Sequence, residues 1–265
     1  MARQNAGMPP LDERQAARIA LRCLDLTSLK DDDTPASIEA FARRAATPHG
    51  APAALCVYPR FVGIARGALD AQGLAKVRVA TVVNFPRGEA SPAQTAEDTA
   101  AAIAQGADEI DVVFPWRALR DGAQQAGVEL IARCRAAAGD APLKVILETG
   151  GLGDAALIRT ASERAIEGGA DFLKTSTGKA LVNATPEAAT VMLDVIRAHG
   201  ARVGLKVAGG LATLADVRLY LGLAAGVYGA DRLTPATLRF GASSLLPVLL
   251  AAIEGNAAPA SEPGY

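Results

Sequence analysis

The sequence predicts an α/β fold, a TIM-type (β/α)8 barrel with an extra N-terminal helix and a flexible C-terminal tail, and three observations carry that expectation. At 265 residues the chain has the length of one such barrel, which runs to roughly 250 residues. Short apolar, β-branched runs recur along it with helical stretches between them, the rhythm of βα units on a parallel sheet. The runs number eight; an open doubly wound sheet shares the rhythm, and this count is what favours closure.

In chain order, residues 1–10 are expected to be loose, and a helix over 11–21 to close the bottom of the barrel. The strands are expected at RCLDLT (22–27), ALCVYP (54–59), VRVATVVN (77–84), EIDVVFP (109–115), LKVILET (143–149), DFLKTS (171–176), VGLKVAG (203–209) and LRFGAS (238–243). The intervening helices carry their own punctuation. In SPAQTAEDTAAAIAQGA (91–107) Ser91 can cap, Pro92 fits the first turn, and Gly106 stops the helix. TPEAATVMLDVIRAHG (185–200) repeats this with Thr185, Pro186 and Gly200. The segment GNAAPASEPGY (255–265) is small, polar and proline-containing and reads as the tail, which leaves one catalytic domain over 11–254.

Composition excludes several classes. Lys plus Arg is 27 and Asp plus Glu 28, so a general nucleic-acid binder is not expected. The chain opens with no signal-peptide pattern and holds no apolar run of membrane-spanning length, so a cytoplasmic protein without a membrane partner is expected. Cys23, Cys56 and Cys134 are odd in number and widely spaced, and read as reduced core thiols. The two histidines, His49 and His199, cannot build a multi-histidine metal site. The chemistry is therefore expected to use other groups.

What remains are strand charges. Side chains two apart on a strand share a face. The Ile110/Val112 face of EIDVVFP suits packing under helices, which sends Asp111 inward. The same parity groups Lys144, Ile146 and Glu148, then Phe172 with Lys174, and Gly204 with Lys206, while Asp25 in LDLT is a further candidate. Charges are rarely buried without partners, so this set is a salt-bridged network or an active site. Its members lie toward strand C-terminal ends, where barrel active sites sit. Two like-charged lysines in one cleft favour a neutral amine, which can attack a carbonyl and form a Schiff base. Parity alone leaves Lys174 and Lys206 interchangeable.

A phosphate site is expected beside them. Gly209 and Gly210 follow the seventh run and let backbone N–H groups approach an anion. Ser243 and Ser244 follow the eighth and open an apolar helix whose N-terminus favours negative charge. Lys179, closing TSTGK, can add a cation.

The segments LDLT, ALCVYPRFV, VATVVNFPRG, EIDVVFPWRAL, KVILETG, ADFLKTSTGK, GLKVAGG and RFGASSLL resemble those of the deoxyribose-phosphate aldolases from about residue 20 to residue 250. Val207 stands where many relatives have proline, and DRLTPATL (231–238) departs from the usual pattern, but neither removes a proposed catalytic group. The resemblance implies a metal-free class I aldolase that reversibly cleaves 2-deoxy-D-ribose 5-phosphate to acetaldehyde and D-glyceraldehyde 3-phosphate in deoxyribonucleoside catabolism. By motif position it makes Lys174 the Schiff-base lysine, Lys206 the neighbour that lowers its pKa, and Asp111 an acid/base working through water. It puts Gly209, Gly210, Ser243, Ser244 and Lys179 at the substrate phosphate, and offers the terminal Tyr265 for protonating the enamine. The competing readings are another Schiff-base barrel aldolase or transaldolase, and a barrel that binds sugar phosphates without catalysis. A homodimer is compatible with barrel helices that expose apolar faces.

Overall fold

In the computed structural model, which describes residues 12–257, eight parallel strands close on themselves in sequence order. The strands are β1 (Leu24–Ser28), β2 (Ala54–Val57), β3 (Arg78–Val83), β4 (Glu109–Val113), β5 (Leu143–Ile146), β6 (Phe172–Lys174), β7 (Gly204–Ala208) and β8 (Leu238–Ala242). Each has its register with both neighbours, and β1 pairs β8 through Leu24–Phe240 and Asp25–Gly241. The expected eight runs are thus the eight strands of a TIM barrel, although most end before the sequence run does.

Helices wrap the sheet as α1 (Glu13–Arg22), α2 (Pro35–Arg43), α3 (Val62–Asp70), α4 (Pro92–Ala104), α5 (Trp116–Arg120), α6 (Gln124–Ala138), α7 (Thr149–Leu152), α8 (Ala155–Glu167), α9 (Pro186–Ala198), α10 (Leu214–Tyr228) and α11 (Leu245–Glu254). Helix α1 is the expected N-terminal helix, capped by Asp12, and it packs on α10 and α11. Ser91 and Thr185 accept from the N–H groups of Gln94 and Ala188 and so cap α4 and α9, with Pro92 and Pro186 in the first turns. None of the described helices is long and apolar enough to cross a membrane. All three cysteines are buried and free. Tyr265 and the rest of the 258–265 segment lie outside the described residues.

Parity divides the barrel. Outward residues such as Ile110, Val112, Val145, Leu173, Leu205 and Val207 join the main core beneath the helices. The inner face is split in two. Leu29, Ala54, Cys56, Ala80 and Val82 form a small apolar cluster on the β2–β3 side. The rest of the inner face holds the buried charges, which lie on β1, β4, β5, β6, β7 and β8. Small side chains on one wall leave room for long ones reaching across from the other. Gly241 serves that packing directly, because a Cβ there would stand 3.1 Å from Lys206 Cε.

Candidate active site

Strand register assembles the charges. Asp111 is level with Lys144 across β4 and β5, Lys174 with Lys206 across β6 and β7, and Lys206 with Arg239 across β7 and β8. Adjacent strands lie about 4.8 Å apart, so side chains on one rung meet inside the barrel.

Asp111 stands at the centre. Its Oδ2 accepts from Lys174 Nζ at 2.7 Å and from Lys206 Nζ at 2.7 Å, while Oδ1 accepts from Lys144 Nζ at 2.6 Å. Lys206 also donates to Asp25 Oδ2 at 2.5 Å. Lys144 reaches Glu109 Oε2 at 2.8 Å, and Asp25 Oδ2 lies 3.8 Å away. Below them Arg239 donates to Asp25 Oδ1 at 2.6 Å and to Glu109 at 2.7 and 3.1 Å. All seven side chains are buried. The two amines suspected from the sequence are therefore unequal: among the described residues Lys206 has two carboxylates, whereas Lys174 has Asp111 alone.

Burial disfavours every one of these charges, and the partners decide which persist. For Lys174 burial is the largest influence; Asp111 opposes it and Lys206 adds to it, so the amine lies below its ordinary pKa. For Lys206 burial is overcome by Asp111 and Asp25, which hold the amine well above its ordinary value. Burial likewise works against Asp111, but Lys144, Lys174 and Lys206 hold its carboxyl well below the usual range. The arrangement can thus present one deprotonated amine, Lys174, beside one fixed ammonium, Lys206, at the C-terminal end of the barrel. The larger part of the depression comes from burial, with the second lysine assisting.

The other predicted residues fall in three places. Lys144 and Asp25 join the charged layer as described. Glu148 does not, because β5 ends at Ile146 and parity ends with it. Its backbone is left-handed (φ 55) and its carboxylate accepts from the hydroxyl and N–H of Thr177. There burial raises its pKa, with Thr177 opposing. Gly209 and Gly210 form the turn after β7 with φ of 84 and 78, a geometry that favours glycine. A Cβ on Gly209 would meet the Asn183 side chain at 2.7 Å. Ser243 and Ser244 are half-buried ahead of α11, and the Ser244 side chain makes no cap hydrogen bond, which leaves the hydroxyl available to a ligand. Lys179 reaches from the loop after β6 to the Leu29 carbonyl beyond β1, donating at 2.8 Å.

Sequence reasoning missed two members of the layer, Glu109 and Arg239. Both were legible by parity, Glu109 being two residues before Asp111 and Arg239 two before Gly241. They lie at or near the starts of β4 and β8, whereas barrel active sites sit at strand C-terminal ends. Ser176 is a further surprise: it lies fully buried two residues past Lys174, its hydroxyl without a hydrogen-bond partner among the described residues.

Known proteins share the fold. Among solved structures, a candidate deoxyribose-phosphate aldolase from Toxoplasma gondii superposes with a TM-score of 0.85 at 25% identity, covering 93% of this chain and 97% of that one. A second, from Coccidioides immitis, gives 0.79 at 29% identity over 92% and 88%. A deoxyribose phosphate aldolase from Aeropyrum pernix, described as having a unique tetrameric structure, shares the fold at a TM-score of 0.69 and 23% identity over 91% and 96%. The family profile described as DeoC/LacD family aldolase matches residues 19–248. That span takes in all eight strands and the charged layer inside them, so the chain belongs to the DeoC/LacD aldolase family and is an aldolase, a carbon–carbon lyase.

Proposed function

We propose that the protein is a class I deoxyribose-phosphate aldolase in which Lys174 forms the Schiff base. The observation that carries this reading is the inequality of the two lysines: Lys174 is buried with one carboxylate and depressed in pKa, while Lys206 is held charged by two. An amine must be neutral to attack a carbonyl. The names of the Toxoplasma and Coccidioides relatives support the choice of sugar phosphate.

Lys174 Nζ adds to the C1 aldehyde of 2-deoxy-D-ribose 5-phosphate, and loss of water from the carbinolamine leaves an iminium. Acetaldehyde takes two carbons, so the bond that breaks is C2–C3. As the C3 hydroxyl loses its proton, the electrons of C2–C3 flow into the iminium, giving an enamine on Lys174 and the aldehyde of D-glyceraldehyde 3-phosphate. Protonation at C2 and hydrolysis then release acetaldehyde and restore the amine. Asp111 acts on the hydroxyl proton through water. As an anion held by the Lys144 and Lys206 ammonium groups and touching Lys174 it is a weak base, so the iminium electron sink supplies most of the driving force. Lys206 and Asp25 keep a fixed positive charge beside Lys174, which favours its neutral form. The Gly209–Gly210 turn, Ser243, Ser244 and Lys179 bind the phosphate, and Tyr265 protonates the enamine from the tail. The reaction belongs to cytoplasmic deoxyribonucleoside catabolism.

The test is aldehyde release. Incubation with 2-deoxyribose 5-phosphate, with alcohol dehydrogenase and NADH added to follow acetaldehyde, is expected to oxidise NADH, and the unphosphorylated sugar to require a KM at least about tenfold higher. Turnover confined to a ketose or to pyruvate as donor would replace this reading with another Schiff-base aldolase or a transaldolase.

A further inference from the structure

The reaction proposed above uses the upper part of the charged layer, and the lower part is without a role in it. Arg239 fills the barrel interior beneath Lys206, donating to Asp25 and Glu109 through its guanidinium and to the Pro235 carbonyl through Nε. Its guanidinium carbon lies 5.7 Å from the Phe172 ring centroid. Glu109 in turn holds Lys144 at 2.8 Å, and Lys144 holds Asp111. Every group that touches Lys174 is thus connected to the Arg239–Glu109 pair through no more than two further side chains.

The count of charges in this closed space is uneven. Among the described residues paired within this layer, Lys144, Lys174, Lys206 and Arg239 face Asp25, Glu109 and Asp111, one cation more than the anions, while Glu148 stands outside the ion pairs with its carboxylate on Thr177. A low-dielectric interior does not tolerate an unmatched charge, so one proton must be given up. Arginine never releases its own near neutrality, Lys206 has two carboxylates, and Lys144 has Glu109 and Asp111. Lys174, with one, is the group left to lose it. Removing one cation from below would leave equal numbers and let Lys174 keep its proton; removing one anion would force it off more firmly.

We propose that Arg239 and Glu109 are positioning residues that determine, by charge balance inside the barrel, whether Lys174 is neutral. The other titratable groups near Lys174 are Asp111 on β4, Lys206 on β7, Lys144 on β5, Asp25 on β1, Cys56 on β2 and Glu148 beyond β5. Burial keeps the Cys56 thiol protonated. Arg78 meets Glu109 at 3.5 Å from the exposed end of the barrel, where water screens it.

This inference rests on Lys174 being the attacking amine, but its test reads the proton and not the reaction. In protein labelled with 13C-lysine, the Cε resonance of Lys174, assigned by its loss in Lys174→Met, is titrated with pH in the full chain. Glu109→Gln is expected to lower the Lys174 midpoint by about one pH unit, Arg239→Met to raise it by about one, and the double variant to return it to within a few tenths. Arg239→Lys, which keeps the charge, is expected to leave it near wild type. Should Arg239→Met alone fail to fold, the double variant must still titrate about one unit above Glu109→Gln. A purely structural role predicts losses of activity with the midpoint unmoved. An unmoved midpoint, or shifts of the same sign in both single variants, overturns the proposal. Absence of aldolase turnover with the opposed shifts intact would overturn the reaction and leave the charge balance standing.

Discussion

Lys174 and Lys206 look alike in sequence, each in a short apolar run and each followed by small residues. What separates them is which carboxylates the strand register brings within reach, and that is a property of the closed barrel. The separation has a consequence for stability. Lys206 binds its proton more tightly folded than unfolded, so its contribution is fully present below the unfolded pKa and is lost as pH rises through the folded one. Lys174 behaves oppositely: between its depressed folded pKa and its ordinary value the unfolded chain binds more protons, so stability rises with pH across that window. At pH 7, Lys206→Met is therefore expected to cost about 3 kcal/mol, because it takes one ion partner from each of Asp25 and Asp111. Lys174→Met is expected to change stability by less than about 1 kcal/mol while abolishing Schiff-base formation. Urea unfolding of the two variants checks the contrast, and equal losses would contradict the unequal pairing.

The elements were largely legible, and their limits mark where local rules stop. Alternation and capping residues disclosed the strands and helices α4 and α9, because those signals are written within a few residues. Glu148 stands beyond the ion-paired layer, though Lys174 still acts on its carboxyl, because the end of β5 depends on where its neighbours stop pairing. Beyond β6, Thr175 replaces the regular ladder, its hydroxyl donating to the Ala208 carbonyl and accepting from the Ala208 N–H. The turn after β7 shows how one element constrains another. Gly209→Ala is expected to be more harmful than Gly210→Ala, since both have positive φ but only Gly209 would drive a Cβ into Asn183. The left-handed backbone alone costs about 1 kcal/mol. Pairing Gly209→Ala with Asn183→Gly, which removes the Asn183 Cβ as well as its amide, is expected to bring its loss in thermal unfolding down toward that of Gly210→Ala. A double variant no better than the single would show that the side-chain collision is not the cause. At α10, Thr213 and Asp216 form a reciprocal capping box, and Thr213→Ala is expected to cost about 1 kcal/mol by the same measurement.

At the scale of the whole molecule, the barrel places an apolar wall on β2 and β3 opposite a charged one, and the second is what an aldolase can use. Its acids also shape the response to pH. Asp25, Glu109 and Asp111 all sit below their ordinary pKa values despite burial, through their lysine and arginine partners. Their contribution to stability is present above the unfolded carboxylate range and is lost as pH falls through the folded values. The melting temperature is expected to fall steadily below about pH 4.5, and a value unchanged down to pH 3 would contradict a native layer held by ionised acids. The barrel class was readable from length and rhythm. The depth at which Glu109 and Arg239 lie was not, because no local pattern records how far down a barrel a residue sits.

The central claim is that Lys174 alone makes the covalent bond. Borohydride reduction in the presence of acetaldehyde, followed by peptide mass mapping, tests it most directly. The account predicts an ethyl adduct on Lys174 and none on Lys206; an adduct confined to Lys206, or no adduct at all, contradicts it.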